Sequence, residues 1–214
     1  MSKDTAVQIK IVLKNSKPPI WRRVLVDSAI SFEELHYTIQ LSMGWGIYHL
    51  YEFKVDGYKI GVIDEEMDDY GFGASEMIDS EEIILDEIIS KGIKKFTYEY
   101  DFGDSWEHSI EIEKTLPMDP EKFYPVCIKG NMNCPPEDVG GIPGYLYLLE
   151  VLKDPTHPEY EELKEWVGGE YDPEDFDLDE TNFFLREIGE IMDSDEDDDL
   201  FPGDAEDDDD EEEF

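Results

Sequence analysis

The chain carries a large excess of negative charge, and much of that charge is concentrated at one end. Its 214 residues include 57 acidic and 17 basic side chains, which give a formal net charge of -40. Residues 193–214 contain 15 of the acidic residues and no basic residue, which leaves -25 for the first 192. A segment this acidic cannot bury enough apolar surface to fold. We therefore expect a single domain over residues 1–192 and a disordered acidic tail over residues 193–214.

The same charge limits the partners that the chain can bind. A strongly negative surface repels phosphate backbones and anionic lipid, so it disfavours direct nucleic-acid binding and membrane binding. A basic protein partner and divalent cations are the natural counterparts. The two cysteines, Cys127 and Cys134, are too few for a disulfide framework, which favours a reducing, cytoplasmic location. No apolar run approaches the ~18 residues that a membrane-spanning helix needs.

The pattern of apolar residues predicts an α+β fold. A capping box at Ser31 and Glu34 marks the start of a helix, and Asp56-Gly57 indicates a tight hairpin. Strands are predicted at residues 7–13, 20–26, 50–55, 58–63, 95–101 and 106–114. Helices are predicted at residues 32–43, 83–89, 145–152, 158–167 and 181–192, and loops at 64–81 and 117–144. Because strands and helices are segregated, we expect a mainly antiparallel sheet of about five or six strands with helices packed on it.

The first candidate functional segment runs from Tyr98 to His108 and holds aromatic, acidic and imidazole side chains within one predicted hairpin. Asp101, Asp104 and His108 are residue types that can bind a divalent metal or act as a general acid and base. The alternative is structural, because aspartate and glycine also favour tight turns. Trp106 belongs to the same candidate surface.

The second candidate segment runs from Cys134 to Tyr145. Two glycines before a predicted helix can expose backbone N–H groups to an anion, although Glu137 and Asp138 would repel phosphate. In the simpler interpretation, Asp138 caps the helix and the glycines allow close packing. The candidate residues in this segment are Glu137, Asp138, Gly140, Gly141 and Tyr145.

The cysteines and histidines form a weaker pattern. Cys127 and Cys134 could form a zinc site with His108 or His157, but the cysteines lie seven residues apart and do not form a Cys-x-x-Cys pair. Buried structural thiols are the alternative. His36, on the first helix, and His49, before a strand, are interpreted as structural histidines.

Taken together, several short strings resemble one family. They are Trp21-Arg-Arg-Val24, Met43-Gly-Trp45, His49-Leu50, Tyr100-Asp-Phe-Gly-Asp-Ser-Trp-Glu-His108, Cys134-Pro-Pro-Glu-Asp-Val-Gly-Gly141, Gly144-Tyr145 and Asp154-Pro-Thr-His157. Over about residues 5–185 the chain resembles the plasmid pRiA4b ORF-3-like family. The resemblance implies an uncharacterised bacterial or archaeal protein and an association with mobile elements, since some members are labelled insertion-element passenger proteins. It implies no catalytic residue set.

Two functions are consistent with these observations. The leading hypothesis is a noncatalytic protein-interaction domain that presents both candidate segments on one surface, while the tail binds cationic partners. A separate hypothesis, for the tail alone, is that it mimics nucleic acid and blocks a basic partner. The alternative is a metal-dependent, hydrolase-like enzyme. Its ligands or acid–base groups would be Asp101, Asp104, His108, Glu137 and Asp138. Both require the two segments to converge in space.

Overall fold

An eight-stranded sheet forms the centre of the molecule in a computed structural model that describes residues 5–63 and 77–195. The strands are β1 (Thr5–Leu13), β2 (Trp21–Asp27), β3 (Tyr51–Val55), β4 (Tyr58–Gly61), β5 (Met77–Asp79), β6 (Lys95–Tyr100), β7 (Trp106–Pro117) and β8 (Val126–Asn131). Their spatial order is β5-β4-β3-β6-β7-β1-β2-β8, and only the β4–β5 pair is parallel. The predicted α+β class and the mainly antiparallel sheet are confirmed, with more strands than the five or six expected.

Six helices complete the described part of the chain. They are α1 (Phe32–Met43), α2 (Leu85–Ser90), α3 (Gly141–Leu152), α4 (Tyr160–Trp166), α5 (Leu178–Arg186) and α6 (Ile188–Asp195). None of them has the length and apolar character that crossing a membrane requires.

Helix α1 is the central helix, and its predicted bounds are confirmed. The Ser31 hydroxyl accepts from the Glu34 N–H at 3.0 Å, and the Glu34 carboxylate accepts from the Ser31 N–H at 2.8 Å. Gly44 ends the helix at φ 89°, a left-handed conformation that glycine adopts without strain. Helices α5 and α6 contact α1, while Phe32 packs edge-to-face on Phe53 of β3. The helix is therefore buried along most of its surface.

Buried polar groups tie α1 to the sheet. His36 Nδ1 lies 2.7 Å from the Tyr98 hydroxyl, and Gln40 Nε2 donates to that hydroxyl at 2.7 Å. The His36 ring also stacks on Tyr51, with 3.6 Å between the ring centroids. Burial lowers the pKa of His36 to about 3, so this imidazole is neutral in the folded protein. His36 is thus a structural histidine.

The two arginines of β2 point to opposite faces of the sheet, as strand geometry predicts. Arg22 is 2% exposed. Its guanidinium donates to the carbonyls of Trp21, Ser42, Asn131 and Met132 and lies against the Phe176 ring. Arg23 instead pairs with Glu113 at 2.7 Å near the surface. Arg22 therefore joins α1 to the segment after β8.

The outer edge of β8 is covered by one side chain of α5. The Cys127 N–H donates to Asn182 Oδ1 at 2.8 Å, and Asn182 Nδ2 donates to the Cys127 carbonyl at 2.9 Å. The Asn182 amide thus makes two of the backbone hydrogen bonds that a neighbouring strand would make. Covering an open edge in this way protects it from pairing with other chains.

Several predicted elements differ from the structure. The predicted loop at 117–144 contains β8, and the predicted loop at 64–81 contains β5 at its end, while its residues 64–76 lie outside the described ranges. The predicted helix at 181–192 is two helices separated at Glu187. Both unpredicted strands are short or exposed, so they lack a clear alternating pattern. Helix α6 continues to Asp195, and residues 196–214 of the predicted tail lie outside the described ranges, so its disorder stays a prediction.

Candidate functional site

Three connecting segments meet at one end of the sheet. They are residues 44–50 between α1 and β3, residues 101–105 between β6 and β7, and residues 132–140 between β8 and α3. Strands β3 and β6 are antiparallel neighbours, with Tyr51 opposite Tyr100. The residues just before β3 and just after β6 therefore lie side by side, and the Asp101 N–H donates to the Leu50 carbonyl at 3.0 Å. We call these segments the three-loop surface.

The Tyr100 hydroxyl and the Glu137 carboxylate connect the first and third segments. The hydroxyl donates to Glu137 Oε1 at 2.8 Å and accepts from the Tyr48 N–H at 3.0 Å. Glu137 Oε2 accepts from the Gly46 N–H at 2.7 Å. Burial, followed by the nearby Glu137 carboxylate, raises the pKa of Tyr100. The phenol therefore keeps its proton and acts as a donor at this position.

Asp104 connects the second and third segments. Its Oδ2 accepts from the Gly140 N–H at 3.0 Å. A Cβ added to Gly141 would lie 2.3 Å from the Asp104 carbonyl oxygen, so this approach requires glycine. The predicted close packing of the glycines is observed. The predicted cap is wrong, because the N-cap position of α3 is Gly140 and no side chain caps it, Asp138 included.

A histidine and two aspartates form a compact cluster at the centre of the three-loop surface. His49 Nε2 lies 3.2 Å from Asp138 Oδ1 and 3.9 Å from Asp101 Oδ2. One potential ligand atom from each of the three residues lies within 4.8 Å of the others. No other group of three His, Cys, Asp or Glu side chains within residues 5–63 and 77–192 is close enough to hold a metal ion.

The cluster joins two residues that the sequence had singled out, Asp101 and Asp138, to one that it had not. His49 was interpreted as structural because it stands alone before a strand. The pairing of β3 with β6 was the signal that could have identified it, since that pairing places residue 49 beside the end of β6. Strand order is a property of the whole sheet, however, and the local pattern around His49 does not contain it.

Three of the predicted surface residues lie inside the molecule. Trp106 and His108 are fully buried, and Tyr145 is nearly so. His108 Nδ1 lies 2.9 Å from the Trp106 carbonyl, which requires that nitrogen to carry the proton. Nε2 has no partner among the described residues, and burial lowers the pKa of His108 to about 3. These side chains support the three-loop surface from beneath, and His108 lies outside the cluster of His49, Asp101 and Asp138.

The two cysteines are also buried, and both are free thiols. Burial raises the pKa of both thiols, that of Cys134 to about 12. A cysteine binds zinc as the thiolate, and neither sulfur lies in the cluster of His49, Asp101 and Asp138. The buried structural interpretation of these residues therefore fits the structure better than a zinc site.

The outside of the three-loop surface combines carboxylates with aromatic rings. The Asp138 side chain is 68% exposed, and Tyr48 and Phe102 are 63% and 52% exposed. Exposed aromatic groups beside charged groups are common at binding surfaces. The backbone beneath them is fixed by the hydrogen bonds described above.

Comparisons with known proteins agree with the resemblance found in the sequence. A family model described as plasmid pRiA4b ORF-3-like protein matches residues 5–180. The chain is 39% identical over 179 residues to uncharacterized protein y4hQ of Sinorhizobium fredii (strain NBRC 101917 / NGR234), an alignment that covers 84% of this chain and 87% of the relative. A crystal structure of MM3350 from Methanosarcina mazei Go1, described as a protein of unknown function, matches with a TM-score of 0.75 and 35% identity. That match covers 83% of this chain and 98% of the other.

Proposed function

The chain belongs to the plasmid pRiA4b ORF-3-like family, and we propose that it is a noncatalytic protein-interaction domain. Its binding site is the three-loop surface, and its partner is a basic protein. The observation that carries this proposal is the convergence of three hydrogen-bonded segments that leave Tyr48, Phe102 and Asp138 exposed together. A rigid loop framework under exposed aromatic groups lowers the entropic cost of binding.

The chemistry of the surface favours a cationic partner. Asp101 and Asp138 place two carboxylates within reach of one arginine or lysine head group. The exposed rings of Tyr48 and Phe102 lie on the same three-loop surface, and exposed aromatic rings are suited to cation–π contact with basic side chains. The net charge of -40 steers basic proteins towards the chain and repels nucleic acid.

The acidic tail adds to this attraction without defining the site. Residues 193–214 contribute 15 negative charges, and such a tail strengthens long-range attraction more than it adds contacts. Removal of the acidic tail, followed by titration with a basic partner, tests whether the tail itself binds that partner as a nucleic-acid mimic would. If a basic partner binds residues 1–192 as tightly as the full chain at low salt, the tail is only a solubilising extension.

We further propose a cytoplasmic location and an association with mobile elements. The buried free thiols Cys127 and Cys134 support a reducing compartment. The mobile-element association rests on the family alone.

A capture and reconstitution experiment tests the interaction proposal. The full chain, a Tyr48→Ser/Phe102→Ser variant and a control Tyr58→Ser/Phe123→Ser variant serve as bait in the source cells. Tyr58 and Phe123 match the test residues in exposure but lie outside the three-loop surface. A basic protein retained by the wild type and the control is then purified and titrated against each bait.

We expect the titration to show at least tenfold weaker binding to the Tyr48→Ser/Phe102→Ser variant, with affinity falling as salt rises. Equal affinity for all three baits would remove the three-loop surface as the binding site. A partner that is not basic would contradict the electrostatic part of the proposal.

The metal-dependent hydrolase has less support. Of its predicted groups, His108 lies in the core, and both Glu137 oxygens accept hydrogen bonds from within the protein. Asp104 Oδ2 is engaged with Gly140. Of the predicted groups, Asp101 and Asp138 remain, and together with His49 they can hold an ion.

A further inference from the structure

We propose that His49, Asp101 and Asp138 form a binding site for a divalent transition-metal ion, with Zn²⁺ as the probe that best matches the ligands. The site lies at the centre of the three-loop surface, but the inference goes beyond the proposed partner binding. Ion binding is a property of the isolated chain and can be measured without any partner. The ion and the basic head group of a partner would compete for the carboxylates of Asp101 and Asp138, so each is measured in the absence of the other.

The spacing of the three ligand atoms suits one ion. Zn–N and Zn–O bonds of about 2.0–2.2 Å place two tetrahedral ligand atoms about 3.4 Å apart. His49 Nε2 is 3.2 Å from Asp138 Oδ1 and 3.9 Å from Asp101 Oδ2, and all three atoms lie within 4.8 Å of one another. Side-chain rotations that shorten the longer separations by up to about 1.4 Å would bring all three atoms to this spacing.

The ligand atoms are also free to bind. Asp101 Oδ1 accepts from the Gly103 N–H at 2.9 Å, which fixes the carboxylate with its other oxygen towards His49. His49 Nε2 is shielded from solvent yet makes no hydrogen bond to the described side chains and backbone of residues 5–63 and 77–192. A shielded imidazole nitrogen between two carboxylates is a position where an ion replaces lost hydration. The exposed Asp138 side chain provides the route of entry.

Charge and ligand type select the class of ion. Two carboxylates held this close repel each other, and a doubly charged cation cancels that repulsion. An imidazole nitrogen favours zinc and its transition-metal neighbours over Ca²⁺ and Mg²⁺, which prefer all-oxygen sites. Three protein ligands leave a fourth position for water or for a partner's side chain.

The binding test uses the full chain after treatment with a chelator. Zn²⁺ is titrated by calorimetry in the presence of millimolar Mg²⁺, which occupies weak all-oxygen sites such as those of the acidic tail. Bound zinc is then counted by elemental analysis. We expect one Zn²⁺ per chain, and at least tenfold weaker binding in each of the variants His49→Ala, Asp101→Asn and Asp138→Asn.

The variants and controls are chosen to keep the fold. Asp101 and Asp138 have φ values of 53° and 59°, a region that asparagine tolerates well. His157→Ala and Asp56→Asn remove the same residue types elsewhere on the surface, and Asp56 also has a positive φ. Both controls should bind one Zn²⁺ with wild-type affinity.

A spectroscopic measurement locates the ion. Co²⁺ substitution should give visible absorption bands that disappear in His49→Ala and persist in His157→Ala. Unchanged zinc affinity in His49→Ala, or loss of all binding when residues 196–214 are removed, would overturn the proposal. Partner titration in the presence of chelator keeps the two proposals separate, because the interaction domain can fail while zinc binding holds, and the reverse.

Discussion

Glu137 should stabilise the folded protein as well as the three-loop surface. In Glu137→Ala, the Tyr100 hydroxyl loses its acceptor and the Gly46 N–H loses its only described partner. A hydrogen bond to a charged group contributes about 1.5–3 kcal/mol. Because both bonds are only partly buried, we expect the low end of that range for each. The free energy of unfolding should therefore fall by about 2–4 kcal/mol.

Glu137→Gln should cost less, about 1 kcal/mol, because its oxygen can still accept from Gly46. Its amide can donate to the Tyr100 oxygen, which also accepts from Tyr48. Only the Tyr100 hydroxyl proton then lacks an acceptor. The ranking of the two variants thus reports on hydrogen bonding and separates it from packing.

Urea unfolding measures these changes, followed by the fluorescence of the buried tryptophans Trp45 and Trp106. A double-mutant cycle adds Tyr100→Phe and the combined variant. Because Tyr100 and Glu137 share one hydrogen bond, the combined cost should be at least about 1 kcal/mol less than the sum. Glu159→Ala removes the exposed partner of Tyr147 and should cost less than about 0.5 kcal/mol.

Additive effects of Glu137→Ala and Tyr100→Phe would refute this reasoning. Their bond would then make no net contribution, and the first and third segments would be held by other contacts. Hydrogen exchange provides a second check, since the amides of Gly46 and Tyr48 should exchange faster in Glu137→Ala.

Three further predictions use the same unfolding assay. Gly141→Ala should lower the free energy of unfolding by more than about 2 kcal/mol, because the new Cβ lies 2.3 Å from a backbone oxygen and the residue has a positive φ. The control Gly92→Ala also has a positive φ but has open space around the new Cβ, so it should cost about 1 kcal/mol. Equal costs would show that the close contact at Gly141 has no effect. Arg22→Met should lower the free energy of unfolding by about 3–5 kcal/mol, because it leaves buried carbonyls without a donor. Arg23→Met should cost about 1 kcal/mol or less, because the ion pair of Arg23 lies near the surface. Similar costs for the two variants would contradict the difference in burial between Arg22 and Arg23. His108 has a pKa of about 3 in the folded protein, below the unfolded value of 6.5, so the unfolded state binds the extra proton and the free energy of unfolding falls as pH drops from 6.5 towards 3. His108→Asn should reduce the fall in the free energy of unfolding between pH 7 and pH 5 by about 2 kcal/mol. An unchanged fall in this variant would mean that His108 is protonated in the folded protein.

Local sequence patterns predicted the elements whose determinants lie close together in the chain. The Ser31–Glu34 capping box and the Gly44 stop define α1 correctly. Asp56-Gly57 forms the predicted turn between β3 and β4. Strand β8 was missed because its exposed residues follow no alternating pattern, and it is held by β2 and Asn182, which lie far away in sequence.

The candidate site shows the same division. The sequence alone singled out Asp101, Asp104, Glu137, Asp138 and the glycine pair, because acidic and glycine residues in dense clusters are recognisable without a structure. Their convergence follows from the pairing of β3 with β6 and from the contact of Asp104 with Gly140. Neither contact has a signature within a short window of sequence.

Amino-acid sequence by itself determined the charge, the class of fold and the segments on which the site is built, because these depend on composition and on short-range periodicity. Only the tertiary structure decided the orientation of each side chain. It placed His108 and Trp106 in the core and brought His49 to the two aspartates. The physical reason is that burial and ligand geometry arise from strand order and from packing between residues that lie far apart in sequence, such as Asp104 and Gly140, 36 positions apart.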